Sequence, residues 1–212
     1  MPAPLQTGTL LVASPDLCED PNFNRTVVFI IHYSAEEGAM GLVINRPLGE
    51  QVQLYSAEEL QRLLDGPGEN ADAEPTSRPV SKAIQTQLGR MFYKGGPVKQ
   101  GYLFFLHRLD EAIEGGAEIL DGLYLGGNLD AVRTEAEVVK ADQPLLRFYL
   151  GYAAWDKGQL EWEISNGAWI LAPGETDLVF TDRPEAIWRD VLYSLGGKYR
   201  PISVLPEDSS VN

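Results

Sequence analysis

The sequence predicts an α+β domain, and three observations carry that reading. Short apolar segments of strand length outnumber amphipathic segments of helical period. They do not alternate with helices in regular βαβ units. No Pro- or Gly-rich boundary splits the 212 residues, 44% of them apolar, into separate cores, so residues 1–212 are read as one domain.

Taken in order, strands are expected at residues 9–13, 26–32, 41–45, 102–107, 122–125 and 145–152. In 26–32, Val27, Phe29 and Ile31 face one way while Val28, Ile30 and His32 face the other. Both faces are mostly apolar, so this strand must be covered twice, and 102–107 reads the same way. Between the second and third strands, the polar stretch 34–38 ends in Gly38, which suits a hairpin with positive φ at the glycine. Helices are fewer. Ser56-Ala-Glu-Glu59 is a capping box that opens a helix over about 57–64, with Leu60, Leu63 and Leu64 on its apolar face. Asn128 caps a second, running towards Val138. A third starts at Pro184, carries Ile187, Trp188, Val191, Leu192 and Leu195 as its stripe, and stops at Gly196-Gly197. Residues 65–79 hold no large apolar side chain and read as a mobile loop or insertion, and 206–212 as a flexible tail.

Charge and composition narrow the function. Lys and Arg number 17 against 31 Asp and Glu, a net −14 that repels nucleic-acid phosphate. The single cysteine excludes an internal disulfide and a thiolate metal cluster. Cys18 itself lies among Asp16, Glu19 and Asp20, whose charge disfavours the thiolate, so it reads as passive. Those three carboxylates serve either a hard cation or a proline-containing turn with Asx caps. No apolar run approaches the roughly 18–20 residues that span a bilayer. The first residues lack the basic region of a signal peptide. A cytoplasmic protein with no membrane segment is expected. The common nucleotide, zinc-protease and hydrolase signatures are absent, and the sequence names neither a cofactor nor a metal.

Several residues carry the chemistry that remains. Asn45 and Arg46 follow an apolar strand and precede Pro47, which forces the chain out of the sheet. An arginine there can grip a carboxylate or phosphate, or pair with one of the protein's own acids. From Arg78 to Arg108 there are six basic residues and no acid, with Gly95-Gly-Pro-Val98 in the middle. Consecutive glycines let amides converge on an anion. The other reading is internal pairing with the acidic stretch 110–142, and that is the commoner arrangement. His32 and His107 both end apolar strands; each is either a ligand or a histidine bonded to backbone. Trp155, Trp162 and Trp169 recur every seven residues, but Gly158 and Gly167 exclude a long helix, so they read as core or interface aromatics.

Several strings resemble one family in their order along the chain. They are Leu11-Val-Ala-Ser-Pro15, Asp20-Pro-Asn-Phe23, Gly38-Ala-Met-Gly-Leu-Val-Ile-Asn-Arg-Pro47, Gly95-Gly-Pro-Val98 with Leu106-His107, and Leu150-Gly-Tyr-Ala-Ala-Trp155 with Gly158-Gln-Leu-Glu161. Over about residues 7–197 the chain is similar to the YqgE/AlgH family. The resemblance implies a bacterial cytosolic protein whose bifurcated, mostly antiparallel sheet curls into a pseudo-barrel with a few flanking helices. Some members carry a transcriptional-regulator label linked to alginate production, with no agreed catalytic residues. Asn45, Arg46, Gly95, Gly96, Pro97 and His107 fall on motif positions; Cys18 does not, and residues 65–90 form a longer segment than is usual.

The leading expectation is a binding or regulatory protein that recognises a small anionic ligand or a protein partner through Asn45, Arg46, Gly95, Gly96, Pro97 and His107. The second is a metal-assisted hydrolase using His107 with Asp20 or Glu161. Direct DNA binding ranks last, since the acidic balance opposes it and no helix-turn-helix is recognisable. Exposed tryptophans would suit a homodimer.

Overall fold

A computed structural model of the chain describes residues 3–49, 91–109, 113–128 and 144–205. The helix expected at 57–64, the body of the one expected after Asn128, the 65–79 loop and the 206–212 tail lie outside the described residues.

Nine strands form one sheet: β1 (Thr9–Ala13), β2 (Val27–Ser34), β3 (Gly38–Val43), β4 (Phe92–Lys94), β5 (Val98–His107), β6 (Ala117–Leu120), β7 (Leu123–Leu125), β8 (Leu146–Trp155) and β9 (Trp169–Pro173). Their order is β6-β7-β5-β8-β3-β2-β1-β9, and β4 adds to β8 beside this path. Every pair is antiparallel except β4–β8, and the sheet curls into a half-barrel. Among the described residues three α-helices accompany it: α1 (Gln159–Ser165), α2 (Thr176–Val179) and α3 (Ile187–Leu195). The α+β expectation and the bifurcated, curled sheet both hold.

The two-sided strands have the double cover their composition demands. In β1, Leu10 and Val12 enter one core with Val27 and Phe29 of β2, while Leu11 and Ala13 enter another with Val28 and Ile30. The first core lies against α3, whose stripe Ile187, Trp188, Val191 and Leu192 is buried. The second is closed by Leu160 and Ile164 of α1. Pro184 opens a 3-10 turn that leads into α3, and Gly196 at φ +66° ends it. The β2–β3 hairpin turns at Gly38, which takes φ +108° and abuts the Trp155 carbonyl, so no side chain fits there.

The sheet forks at one glycine. Up to Leu150, the even residues of β8 (Leu146, Phe148, Leu150) join a third core with Phe92 and Phe105, while Tyr149 joins the first. Gly151 then takes φ +69° and reverses the alternation: Tyr152 packs on the first core, and Ala153 and Trp155 enter the second. Before Gly151 the neighbour of β8 on this side is β4, in register Phe92↔Phe148; after it, the neighbour is β3, in register Gly41↔Ala153. Gly95 fills the crotch. Its N–H donates to the Leu150 carbonyl and its own carbonyl accepts from Val43 N–H, both at 2.8 Å. Beyond the crotch β4 is wedged between β8 and the continuation of β3, with Lys94 N–H donating to the Arg46 carbonyl at 2.9 Å.

Candidate functional site

The six residues expected to bind a ligand fall into two places. Asn45, Arg46, Gly95, Gly96 and Pro97 gather at the fork, while His107 lies at the end of β5. At the fork each has a task within the protein. A Cβ on Gly95 would meet the Gly151 carbonyl oxygen, and one on Gly96 would meet the Tyr152 backbone, so both glycines serve close approach of chains. Arg46, Gly96 and Pro97 line a narrow crevice with Lys94 and Asn22.

Asn45, 8% exposed, accepts from Val27 N–H through Oδ1 at 2.9 Å and donates from Nδ2 to the Arg25 carbonyl at 2.8 Å. Arg46 donates to the Asn24 carbonyl at 2.9 Å and the Pro21 carbonyl at 3.3 Å. Burial lowers its pKa, and Asp20 opposes the shift. Asp20 in turn accepts from the backbone N–H of Asn22 and Phe23 at 2.7 and 2.9 Å, an Asx turn. Together these side chains hold residues 20–25 in one conformation, which ends at Arg25 with φ +52°.

His107 is fully buried. Its Nε2 lies 2.9 Å from the Gly126 carbonyl and its Nδ1 accepts from Leu109 N–H at 3.2 Å, so the neutral tautomer protonated on Nε2 fits both. Glu161 accepts from the Tyr33 hydroxyl at 2.7 Å, which raises that hydroxyl's pKa. His107, Asp20 and Glu161 are thus each engaged with different partners. Among the described residues no group of three or more His, Cys, Asp or Glu is placed to hold a metal ion. Of the basic island, Lys94, Lys99 and Arg108 are described; Arg108 pairs with Asp177 at 2.6 Å, outside the acidic stretch 110–142.

The residues that sequence reasoning missed lie where the 20–25 turn meets α3. A cleft of about 560 Å³ is lined by Arg25, Arg183, Glu185, Trp188, Arg189 and the 203–205 turn. Trp188 is its floor: its indole N–H donates to the Ala13 carbonyl at 2.8 Å, and the Arg25 guanidinium stacks 4.6 Å from the ring centre. Arg25 also donates to the Leu205 carbonyl at 2.5 Å. Arg183 and Arg189 share one carboxylate, Asp190, at 3.6 and 3.7 Å, and their side chains stay 71% and 60% exposed. Among the described residues, Arg25, Arg183 and Arg189 thus converge on a cleft that also carries Glu185, in a protein of net −14. No local pattern announces this cleft, because only the fold brings residue 25 beside residues 183–189.

Comparison with known proteins follows the same outline. The AlgH-like family model matches residues 10–200. A UPF0301 protein of Chlamydia abortus is 33% identical over 209 residues, covering 98% of this chain and 96% of that relative. A UPF0301 protein of Chlorobaculum tepidum is 33% identical over 212 aligned residues, with the same coverage. The solution structure of the AlgH protein from Pseudomonas aeruginosa superposes with a TM-score of 0.63 at 28% identity, covering 97% of each chain. A crystal structure from Corynebacterium diphtheriae gives 0.60 at 21% identity over 97% of this chain and 95% of the other, a likeness of fold. With the family model running from β1 to the turns after α3, the chain belongs to the AlgH-like family.

Proposed function

We propose that the protein is a cytosolic binding protein whose arginine cleft takes an anionic small molecule. The observation that carries this reading is the convergence of Arg25, Arg183 and Arg189 on a cleft of about 560 Å³, a volume in the range of small-molecule sites. Guanidinium groups are the side chains best suited to carboxylate and phosphate. Trp188 beneath Arg25 keeps one of the three in place before a ligand arrives, which lowers the ordering cost of binding. In this reading Asn45 and Arg46 are positioning residues: they fix the turn that carries Arg25. No helix among the described residues is long and apolar enough to cross a membrane.

The test is a thermal-shift titration with citrate, pyrophosphate and ATP on the wild type and on the Arg183→Ala/Arg189→Ala double variant. A probe at 100 times its Kd raises stability by about 2.7 kcal/mol, several degrees in Tm, and the double variant loses that rise. An equal rise in both proteins would place the ligand elsewhere and overturn the reading.

A protein partner is the second reading, and it rests on Trp162. Trp155, Trp169 and Trp188 are buried, whereas Trp162 on α1 is 66% exposed. Tryptophan is among the residues enriched at the energetic centres of protein interfaces. Sedimentation of the wild type and Trp162→Ser across a concentration series tests whether that anchor serves a second copy.

A further inference from the structure

The concave core holds a buried guanidinium for which the described residues supply no ion pair. Arg147 stands on β8 between Leu146 and Phe148 of the third core, so it shares the face of Tyr149 and points into the half-barrel. It is 2% exposed. One nitrogen, Nη2, donates to the Thr181 carbonyl. Among the described residues Nε and Nη1 make no hydrogen bond of good geometry, and neither does the fully buried hydroxyl of Tyr149, whose near neighbour is the Arg147 guanidinium itself. The guanidinium lies 4.8 Å from the Tyr93 ring centre and 5.8 Å from that of Phe180, and Arg108 stands over the same Phe180 ring at 4.8 Å. Two cations therefore crowd one aromatic ring; Asp177 pairs with Arg108 from a 92% exposed position, and Asp182 and Glu185 act on the neighbouring Tyr93 hydroxyl without an ion pair to Arg147 among the described residues.

Guanidinium side chains keep their charge in proteins. The neighbouring tyrosines do not supply the counter-charge. Burial pushes the Tyr93 hydroxyl up to about 12 and raises that of Tyr149 as well, the guanidinium offsetting only part of the effect. Both hydroxyls are neutral at physiological pH. Buried charges in folded proteins are paired, and unpartnered buried donors are rare enough that each calls for an explanation, a bound ion among them.

We propose that Arg147, with the Tyr149 hydroxyl, forms an internal receptor for a small oxyanion of the inorganic phosphate, sulfate or carboxylate class. Nε, Nη1 and the tyrosine hydroxyl are its donors. The approach is short: Thr181, whose carbonyl holds Arg147, is half-buried, and Asp182 and Arg183 after it are exposed. This receptor is separate from the arginine cleft, since neither Arg147 nor Tyr149 lines that cleft.

The experiment titrates inorganic phosphate, sulfate and acetate separately, reading Tm and isothermal heat, into four proteins at constant ionic strength. They are the wild type, Arg147→Met, Tyr149→Phe and Arg183→Ala/Arg189→Ala. The proposal expects saturable binding to the wild type with a Tm rise of about 5 °C at saturation. Binding persists in the double cleft variant, is abolished in Arg147→Met and weakens about tenfold in Tyr149→Phe. Phosphate and sulfate binding without acetate assigns a tetrahedral ligand, and the reverse assigns a carboxylate. Absence of saturable binding to the wild type, or unchanged binding in Arg147→Met, overturns the proposal. Should Arg147→Met fail to fold, Tyr149→Phe decides, and unchanged affinity there overturns it too. Loss in the cleft variant with retention in Arg147→Met would assign the anion to the cleft and not to this core.

Discussion

Asn45 joins two segments with one amide, since the Val27 N–H and the Arg25 carbonyl both end on its side chain. Truncating it strands a buried donor and a buried acceptor at once. Asn45→Ala is therefore expected to cost about 1–3 kcal/mol, measured by urea unfolding, and Asn45→Asp to cost as much because a carboxylate repels the Arg25 carbonyl. The loss of Arg25 orientation should also weaken any anion bound in the cleft. The sequence made Asn45 and Arg46 legible as polar groups at the open end of an apolar strand. What they hold was not legible, because their partners at residues 20–27 arrive through sheet pairing and no sequence spacing marks that meeting. His107 was legible as buried-or-ligand, and the structure shows it buried with backbone groups of Leu109 and Gly126 at its two ring nitrogens.

At the scale of elements, the fork depends on chain approach that only glycine permits. A Cβ at Gly95 would enter the Gly151 carbonyl, whereas Gly101 in β5 faces open space. Gly95→Ala is expected to destabilise the fold by about 3 kcal/mol, and Gly101→Ala to leave it unchanged or slightly more stable, both read from thermal melts. Two apolar faces were readable in β2 and β5, whose segments 26–32 and 102–107 carry the pattern. β4 was not readable, for it is three residues long and owes its place to parallel pairing with β8. α1 escaped for another reason. It is enclosed by Gly158 at φ +76° and Gly167 at φ +82°, and Leu160 is its one fully buried residue, too little for a helical stripe. What anchors this region is polar: the indole N–H groups of Trp155 and Trp169 both donate to Glu163, at 2.9 and 2.7 Å. The seven-residue recurrence of the tryptophans is therefore a product of one strand, one helix and the next strand, with no continuous seam.

For the molecule as a whole, β8 is the common member of all three cores, through Tyr149 in the first, Trp155 in the second and Phe148 in the third. No core can lose its packing without disturbing that strand. Urea unfolding should accordingly be a single transition, with tryptophan fluorescence and far-UV circular dichroism giving the same midpoint; separated midpoints would show that residues 1–212 are more than one folding unit. The fork has a mechanical consequence as well. Leu48 N–H donates to the Phe92 carbonyl at 2.8 Å, so the chain after β3 and the start of β4, far apart in sequence, are pinned to each other. A pull on either is felt by both, and through β4 by the strand that all three cores share.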